Sequence, residues 1–295
     1  MVQRFATNLE SDTRVDLAWH FKNLNINVET TSQMRALLNT SLQNHLALLR
    51  EKVFNSDHYL PQFNLLLDEI IKFSEDLQNG ESVVSLERTL LYGKNIFAPF
   101  FQKANFTSLD CSPESAEERG DYNRSLINDA RFIDIDCESI RCVPESLQVQ
   151  SNTADLLMIP NLVHHVANQN GMFNEAFRVT KPGGRLFIFE PILRELHQEP
   201  DDFIRYTPHG MIQSLETVGF KILDKKTTGG PFTAIAYCWN QALQYLPDEE
   251  RVGWSDWFEL HFEDLKSLES KYNQNLVRKF TSFPTAFTIT CKKPF

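Results

Sequence analysis

The sequence predicts an α/β fold: a doubly wound, mostly parallel sheet of seven strands with an N-terminal helical cap. Three observations predict it. Between Thr153 and Pro191 the chain reads TADLLMIPNLVHHVANQNGMFNEAFRVTKPGGRLFIFEP, in which apolar runs Asp155–Pro160 and Arg185–Glu190 flank a helical segment, Met172–Val179, and a turn, Thr180-Lys-Pro-Gly-Gly184. Strand, helix, glycine turn and strand make a βαβ unit, which requires parallel pairing. From Glu81 onward the chain consists of short apolar runs separated by turns, whereas residues 1–80 contain a single glycine, Gly80, and show helical spacing instead. The division expected is a cap over residues 1–80 and a main domain over residues 81–295.

Taken in order, Met34, Leu37, Leu38, Leu42, Leu46 and Leu49 recur at helical spacing within Thr31–Phe54, with Thr31 or Ser32 as N-cap. A second helix is expected from about Leu60 to Leu77, closed by Gly80. These helices read as a cap packed on the main domain; a substrate lid or a dimer surface is the alternative. Strands follow at Leu86–Tyr92, Phe106–Leu109, Arg131–Ile135, Asp155–Pro160 and Arg185–Glu190. The helix Met172–Val179 is expected to stop because Pro182 cannot continue it and Gly183 takes a left-handed cap. A helix at Pro208–Val218 leads to a sixth strand, Phe220–Leu223, and Ala286–Cys291 is the seventh. A mostly helical insertion at about 230–283 carries Trp254, Trp257, Phe258 and Phe262, read as core packing or as a pocket wall. Ligands of such sheets bind outside the carboxyl ends of the strands, where Asp110, Asp136 and Glu190 fall on this assignment.

Composition bounds the function. Of 295 residues, 42% are hydrophobic and 23% charged, as in a globular protein with a sizeable core. The net charge of −10, without a dense Lys/Arg block, argues against nucleic-acid binding. The first residues lack a secretory apolar segment and no run reaches the ~18 apolar residues of a membrane span, so a cytoplasmic location is expected. The five cysteines are scattered; the close pair Cys137 and Cys142 lacks zinc-ligand spacing. No G-x-S-x-G elbow, P-loop, HExxH or G-x-G-x-x-G is present, and the adjacent His164-His165 is not a metal pair at helical spacing, so no metal site is expected.

Ala154-Asp155-Leu156-Leu157 with Val163-His164-His165-Val166, and Glu175-Ala-Phe-Arg-Val-Thr-Lys-Pro-Gly-Gly184, resemble the fourth strand and the following helix and turn of type 11-like class I S-adenosylmethionine-dependent methyltransferases. The resemblance covers roughly Glu81 to Phe295 and implies a Rossmann-like methyltransferase sheet with its seventh strand antiparallel. The segment from Pro191 through His197, Asp202 and Arg205 to Pro208 resembles a subgroup found in polysaccharide and sugar pathways. The resemblance implies S-adenosylmethionine as cofactor. Asp110 would hold the ribose hydroxyls, Asp136 would sit near the adenine amino group with Cys137 flanking the ring, and Ile159-Pro160-Asn161 would line the methionine moiety. For Asp110 and Asp136 an ordinary turn or N-cap role is the alternative. The glycine-rich first motif is degenerate: Gly93 takes the second glycine position, Leu91 the first, and Thr89 stands where an acidic residue belongs.

Transfer to a hydroxyl needs a general base. Candidates near the strand ends are His164, His165, His197, Glu190 and Asp202, with His197 foremost and His165 matching a family histidine that is often structural. Arg205 and Tyr206 are candidates for an anionic or sugar acceptor, or else an ion pair and core packing. The expected function is methylation of a small-molecule acceptor, a sugar or glycolipid intermediate; the alternative is an inactive methyltransferase-like binding or assembly protein. Expected partners are that acceptor and a second copy of the chain, with neither nucleic acid nor a membrane span.

Overall fold

Continuous burial along the central strands sets the architecture. The computed structural model describes residues 40–50, 62–88, 95–113, 132–133, 138–274 and 283–295. The chain is helical over 40–50 and continues as α1 (Gln62–Asp76), β1 (Ser82–Glu87), β2 (Asn105–Asp110), β3 (Glu138–Arg141), β4 (Ala154–Pro160), α2 (Gln169–Val179) and β5 (Thr180–Pro191). Then come α3 (Pro208–Val218), β6 (Lys221–Thr228), α4 (Pro231–Leu243), α5 (Asp248–Gln274) and β7 (Ala286–Lys292). One seven-stranded sheet runs in the order β3-β2-β1-β4-β5-β7-β6. The first five strands are parallel, and β7 is inserted antiparallel between β5 and β6.

Successive side chains of a strand face opposite ways, and both faces of this sheet are covered. Val84, Leu86, Leu157, Ile159, Leu186 and Ile188 pack with Met172 and Phe173 of α2 and with Met211 and Leu215 of α3. On the other face, Val83, Leu156, Met158, Phe187 and Phe189 meet Phe63, Leu66, Ile70 and Phe73 of α1. Ring pairs Phe63–Phe189 at 5.4 Å and Phe73–Phe187 at 5.1 Å join α1 to β5. Lys226 of β6 pairs with Glu69 of α1. The N-terminal helices therefore share a core with the sheet.

The central βαβ unit forms as expected, with different punctuation. Asn168 caps α2 by accepting from the Gly171 amide at 3.0 Å. The helix ends at Val179 because Thr180 is already extended (ψ 134°), and Pro182 and Gly183 lie within β5 rather than in a cap. Gly183 is left-handed (φ +77°), and its amide donates to the Lys293 carbonyl at 2.8 Å. At Gly184 a Cβ would come within 2.8 Å of the Ala154 carbonyl, so close backbone approach requires glycine there. Glu175 and Arg178 also have structural work. The Glu175 carboxylate accepts from the Leu147 amide at 2.8 Å, and Arg178 donates to the Leu147 and Val149 carbonyls, fastening the loop before β4.

Three strand expectations need correction. The first strand is Ser82–Glu87, not Leu86–Tyr92, because Glu87 is the last residue in register with Asp110 of β2. Residues 89–94, with Thr89, Leu91 and Gly93, lie outside the described residues. The third strand is Glu138–Arg141, paired with Thr107–Asp110; Phe132 and Ile133 are not in a strand, and the rest of Arg131–Ile135 lies outside the described residues. The sixth strand runs Lys221–Thr228, beyond Phe220–Leu223, because β7 offers a full-length partner as far as Thr228↔Ala286. The first helix is described only from residue 40, so its caps Thr31 and Ser32 fall outside.

The insertion is helical. Its α4 N-terminus is capped by Glu269 of α5, whose carboxylate accepts from the Phe232 and Thr233 amides at 3.0 and 2.9 Å. Phe258 and Phe262 are buried with Ala236, but Trp254 and Trp257 remain 48% and 46% exposed. Only half of the aromatic cluster is core. Among the described residues, no helix is long and apolar enough to cross a membrane.

Candidate functional site

In the order β3-β2-β1-β4-β5, the chain leaves β1 toward one edge and returns at β4 on the other side. Ligands of open α/β sheets bind at such a reversal, outside the strand carboxyl ends. Here Glu87 and Arg88 end β1, Asp110 ends β2, Asn161 follows β4, and Glu190 lies near the end of β5.

On the β1–β2 side, Glu87 is 1% exposed, and among the described residues only the Ser85 hydroxyl approaches its carboxyl group. Burial raises its pKa from 4.5 to about 8; the Ser85 hydroxyl opposes this and Asp110 adds to it. Asp110 folds into a turn in which Oδ1 accepts from the Ser112 amide at 3.0 Å and the Ser112 hydroxyl at 2.6 Å. Asn161 adopts a left-handed backbone (φ +63°), and its amide donates to the Phe189 carbonyl at 2.9 Å. Ile159 is fully buried in the sheet–helix core, so its side chain packs rather than lines the crevice. Gly93, Asp136 and Cys137 lie outside the described residues. Asp136 precedes β3 instead of ending it, since that strand starts at Glu138. The thiols that do meet are Cys111 and Cys142, with sulfurs 3.5 Å apart just beyond the ends of β2 and β3.

On the β4–β5 side the structure gathers five of the proposed catalytic residues. A 3₁₀ turn, Val163–His165, follows β4, and the segment 192–207 folds over it. Backbone and side-chain bonds tie the two: the Phe203 amide donates to the His164 carbonyl at 2.8 Å, and His165 Nδ1 meets the Asp201 carbonyl. Arg88 donates to Gln198, which fastens the segment to the end of β1. The ring centroids of His164, His165 and His197 lie 3.9, 5.4 and 4.9 Å apart, pair by pair.

The two carboxylates are already engaged. Glu190 accepts from the Val163 amide at 2.6 Å with one oxygen and lies 2.7 Å from His164 Nδ1 with the other. Asp202 accepts from Arg205 in a two-pronged pair and from the His197 amide at 3.0 Å. Burial alone would raise the Asp202 pKa, but Arg205 and the His197 amide outweigh it and hold the carboxyl below its usual range. Arg205 also donates to the Glu195 carbonyl, and Tyr206 packs edge-on to Phe173. Both therefore take the structural role of ion pair and core contact. Burial first, then Arg194 nearby, lowers the pKa of His197 to about 4, and burial followed by His164 and Arg88 also lowers that of His165.

Two features escaped the sequence. Glu87 carried no signal because its strand was placed too late, and Cys111 was not paired with Cys142 because β3 was misplaced.

Residues 92–188 match the model of a family described as a methyltransferase domain. No curated protein sequence matches the chain. Among solved structures, it is similar to a protein from Bacillus halodurans C-125 described as a methyltransferase, at 17% identity over 78% of this chain and 99% of that one, with a TM-score of 0.46. It is also similar to a Galdieria sulphuraria protein described as a sarcosine dimethylglycine methyltransferase (12% identity, 80% and 86% covered, TM-score 0.47). A third is phosphoethanolamine N-methyltransferase 2 of Haemonchus contortus (14% identity, 77% and 52% covered, TM-score 0.43). The family match thus falls on residues 92–188, which run from beyond the end of β1 into β5 of the seven-stranded sheet.

Proposed function

We propose that this methyltransferase domain methylates a small-molecule acceptor, with the cofactor on the β1–β2 side of the crevice and the acceptor against the histidines beyond β4. The observation that carries this reading is the polarity of the crevice: acidic residues end β1 and β2, and three imidazoles stand beyond β4. The fit to the cofactor rests on Glu87, whose buried carboxyl group meets no cation among the described residues, a partner that the ammonium group of its methionine moiety would provide. Asp110 would accept from the ribose hydroxyls, as a carboxylate takes two donors at once. Bound there, S-adenosylmethionine supplies an electrophilic methyl group.

The chain's own contribution is positioning, worth up to ~7–11 kcal/mol when reacting atoms are well aligned. Glu190 and Asp202 orient the histidines and do not act as bases, since protein donors occupy them. An imidazole titrating at about 4, as His197 does, is a weak base for a hydroxyl proton. Assignment of the acceptor to the sugars or glycolipid intermediates rests on the resemblance of residues 191–208. A second reading, a binding module without turnover, rests on Leu91 and Thr89, which stand where the family pattern calls for a glycine and an acidic residue.

Titration of S-adenosylmethionine into the chain, followed by methylation assays on a panel of sugars, tests both readings. Donor binding with turnover supports the first; donor binding without turnover on any acceptor supports the second.

A further inference from the structure

We propose that His164, His165 and His197 form a binding site for one divalent ion of the zinc class. The idea deepens the reading above by giving the imidazoles at the acceptor end a role, but the site stands independently of the methyl donor. One ring nitrogen from each histidine lies within 4.8 Å of the others. Zinc–imidazole bonds of about 2.0–2.1 Å place tetrahedral ligand nitrogens roughly 3.4 Å apart. Closing around an ion therefore takes shifts of about an ångström, within reach of side-chain rotation.

The second observation concerns Nδ1 of each ring. His164 Nδ1 is held by Glu190 at 2.7 Å, His165 Nδ1 by the Asp201 carbonyl, and His197 Nδ1 by the Glu195 carbonyl at 3.0 Å. Metal-binding histidines are oriented in this manner, one nitrogen on an oxygen acceptor and the other on the ion. His164 is 1% exposed, and its Nε2 is buried without a partner among the described residues. A buried polar atom left unmet is unfavourable, and an ion between the three rings would satisfy it.

Charge around the site is balanced. Glu190 and Asp202 face it together with Arg88, Arg194 and Arg205. Arg205 is neutralised by Asp202, and Arg194 lies 3.2 Å from Glu195. Glu190 and Arg88 remain, and the Glu190 carboxylate reaches the ion's side of the cluster through His164. Three histidine ligands leave one tetrahedral position open, as in metal sites that act on a bound oxygen. An acceptor hydroxyl held there loses its proton to solvent far more readily than in water.

The test uses the untagged full-length chain, stripped with a chelator and dialysed. Titration with Zn²⁺ is expected to give one ion per chain at micromolar affinity or tighter, and Co²⁺ should give the visible absorption of a four-coordinate site. His197→Ala should weaken Zn²⁺ binding at least a hundredfold with the far-ultraviolet spectrum unchanged. His261→Ala, on an exposed turn of α5, should leave it unaltered. Where His164→Ala does not fold, the half-buried His197 and the Co²⁺ spectrum of the unaltered protein carry the test. Absence of stoichiometric binding, or binding retained in His197→Ala, overturns the proposal. S-adenosylmethionine titrated into the metal-free protein separates the two readings, because either ligand can bind when the other fails.

Discussion

Glu190 reaches two donors from the end of β5: its Oε2 lies 2.7 Å from His164 Nδ1, and its Oε1 accepts from the Val163 amide at 2.6 Å. Both side chains are almost wholly buried, at 1% and 2% exposure. Breaking such a buried pair from one side typically costs ~3–5 kcal/mol, because the remaining partner is stranded. Glu190→Ala is expected to lose stability in that range in urea unfolding. Glu190→Gln should lose less, as its amide oxygen still accepts one of the two donors.

Asp202 predicts an acid limb in the stability profile. Its folded pKa lies below the ordinary 3.8, because Arg205 and the His197 amide stabilise the charged form against burial. The stability it contributes is therefore fully present above about pH 4 and is lost as pH falls toward the folded value. Asp202→Asn should flatten that limb and destabilise the protein at neutral pH, measured by thermal melts across an acidic pH series.

Glu87 predicts a slope of opposite sign. Its folded pKa of about 8 exceeds the ordinary 4.5, so the folded state binds more protons between those values and stability falls as pH rises through them. The limiting loss is ~5 kcal/mol at ~1.36 kcal/mol for each pKa unit. Glu87→Gln should remove the slope. If the cofactor's ammonium group partners Glu87, donor binding at pH 7 should also release a proton, visible as a heat that varies with buffer ionisation enthalpy.

Phe73 of α1 stacks against Phe187 of β5 and carries Arg185 over its ring at 5.1 Å. Phe73→Ala should cost ~3–5 kcal/mol by cavity formation. The loss should appear in one cooperative transition rather than as separate melting of the N-terminal helices.

The sequence displayed the fold best where spacing and turn chemistry coincide. The pattern from Asp155 to Glu190 marks β4, α2 and β5 because the apolar runs and the Asn168 cap act locally, whereas Gly183 and Gly184 answer to the distant Lys293 and Ala154 carbonyls. β1 was misplaced because Leu86–Tyr92 is as apolar as Val83–Leu86, and only the register with β2 separates them. β3 failed similarly, since a four-residue strand, Glu138–Arg141, carries little pattern of its own. Asp110 and Glu190 were readable as strand-end acids. The histidine cluster was readable only as separate residues: His164 and His165 are adjacent, but His197 joins them through the folding of residues 192–207, which Phe203, Asp202 and Arg205 hold in place.

The central claim is that the crevice between β1 and β4 binds S-adenosylmethionine through Asp110. Isothermal titration tests it most directly, comparing the unaltered chain with Asp110→Ala. The account predicts saturable binding that weakens roughly ten- to a hundredfold in the variant, corresponding to ~1.5–3 kcal/mol for a hydrogen bond to a charged group. No heat at millimolar cofactor, or equal affinity in the two proteins, would contradict it.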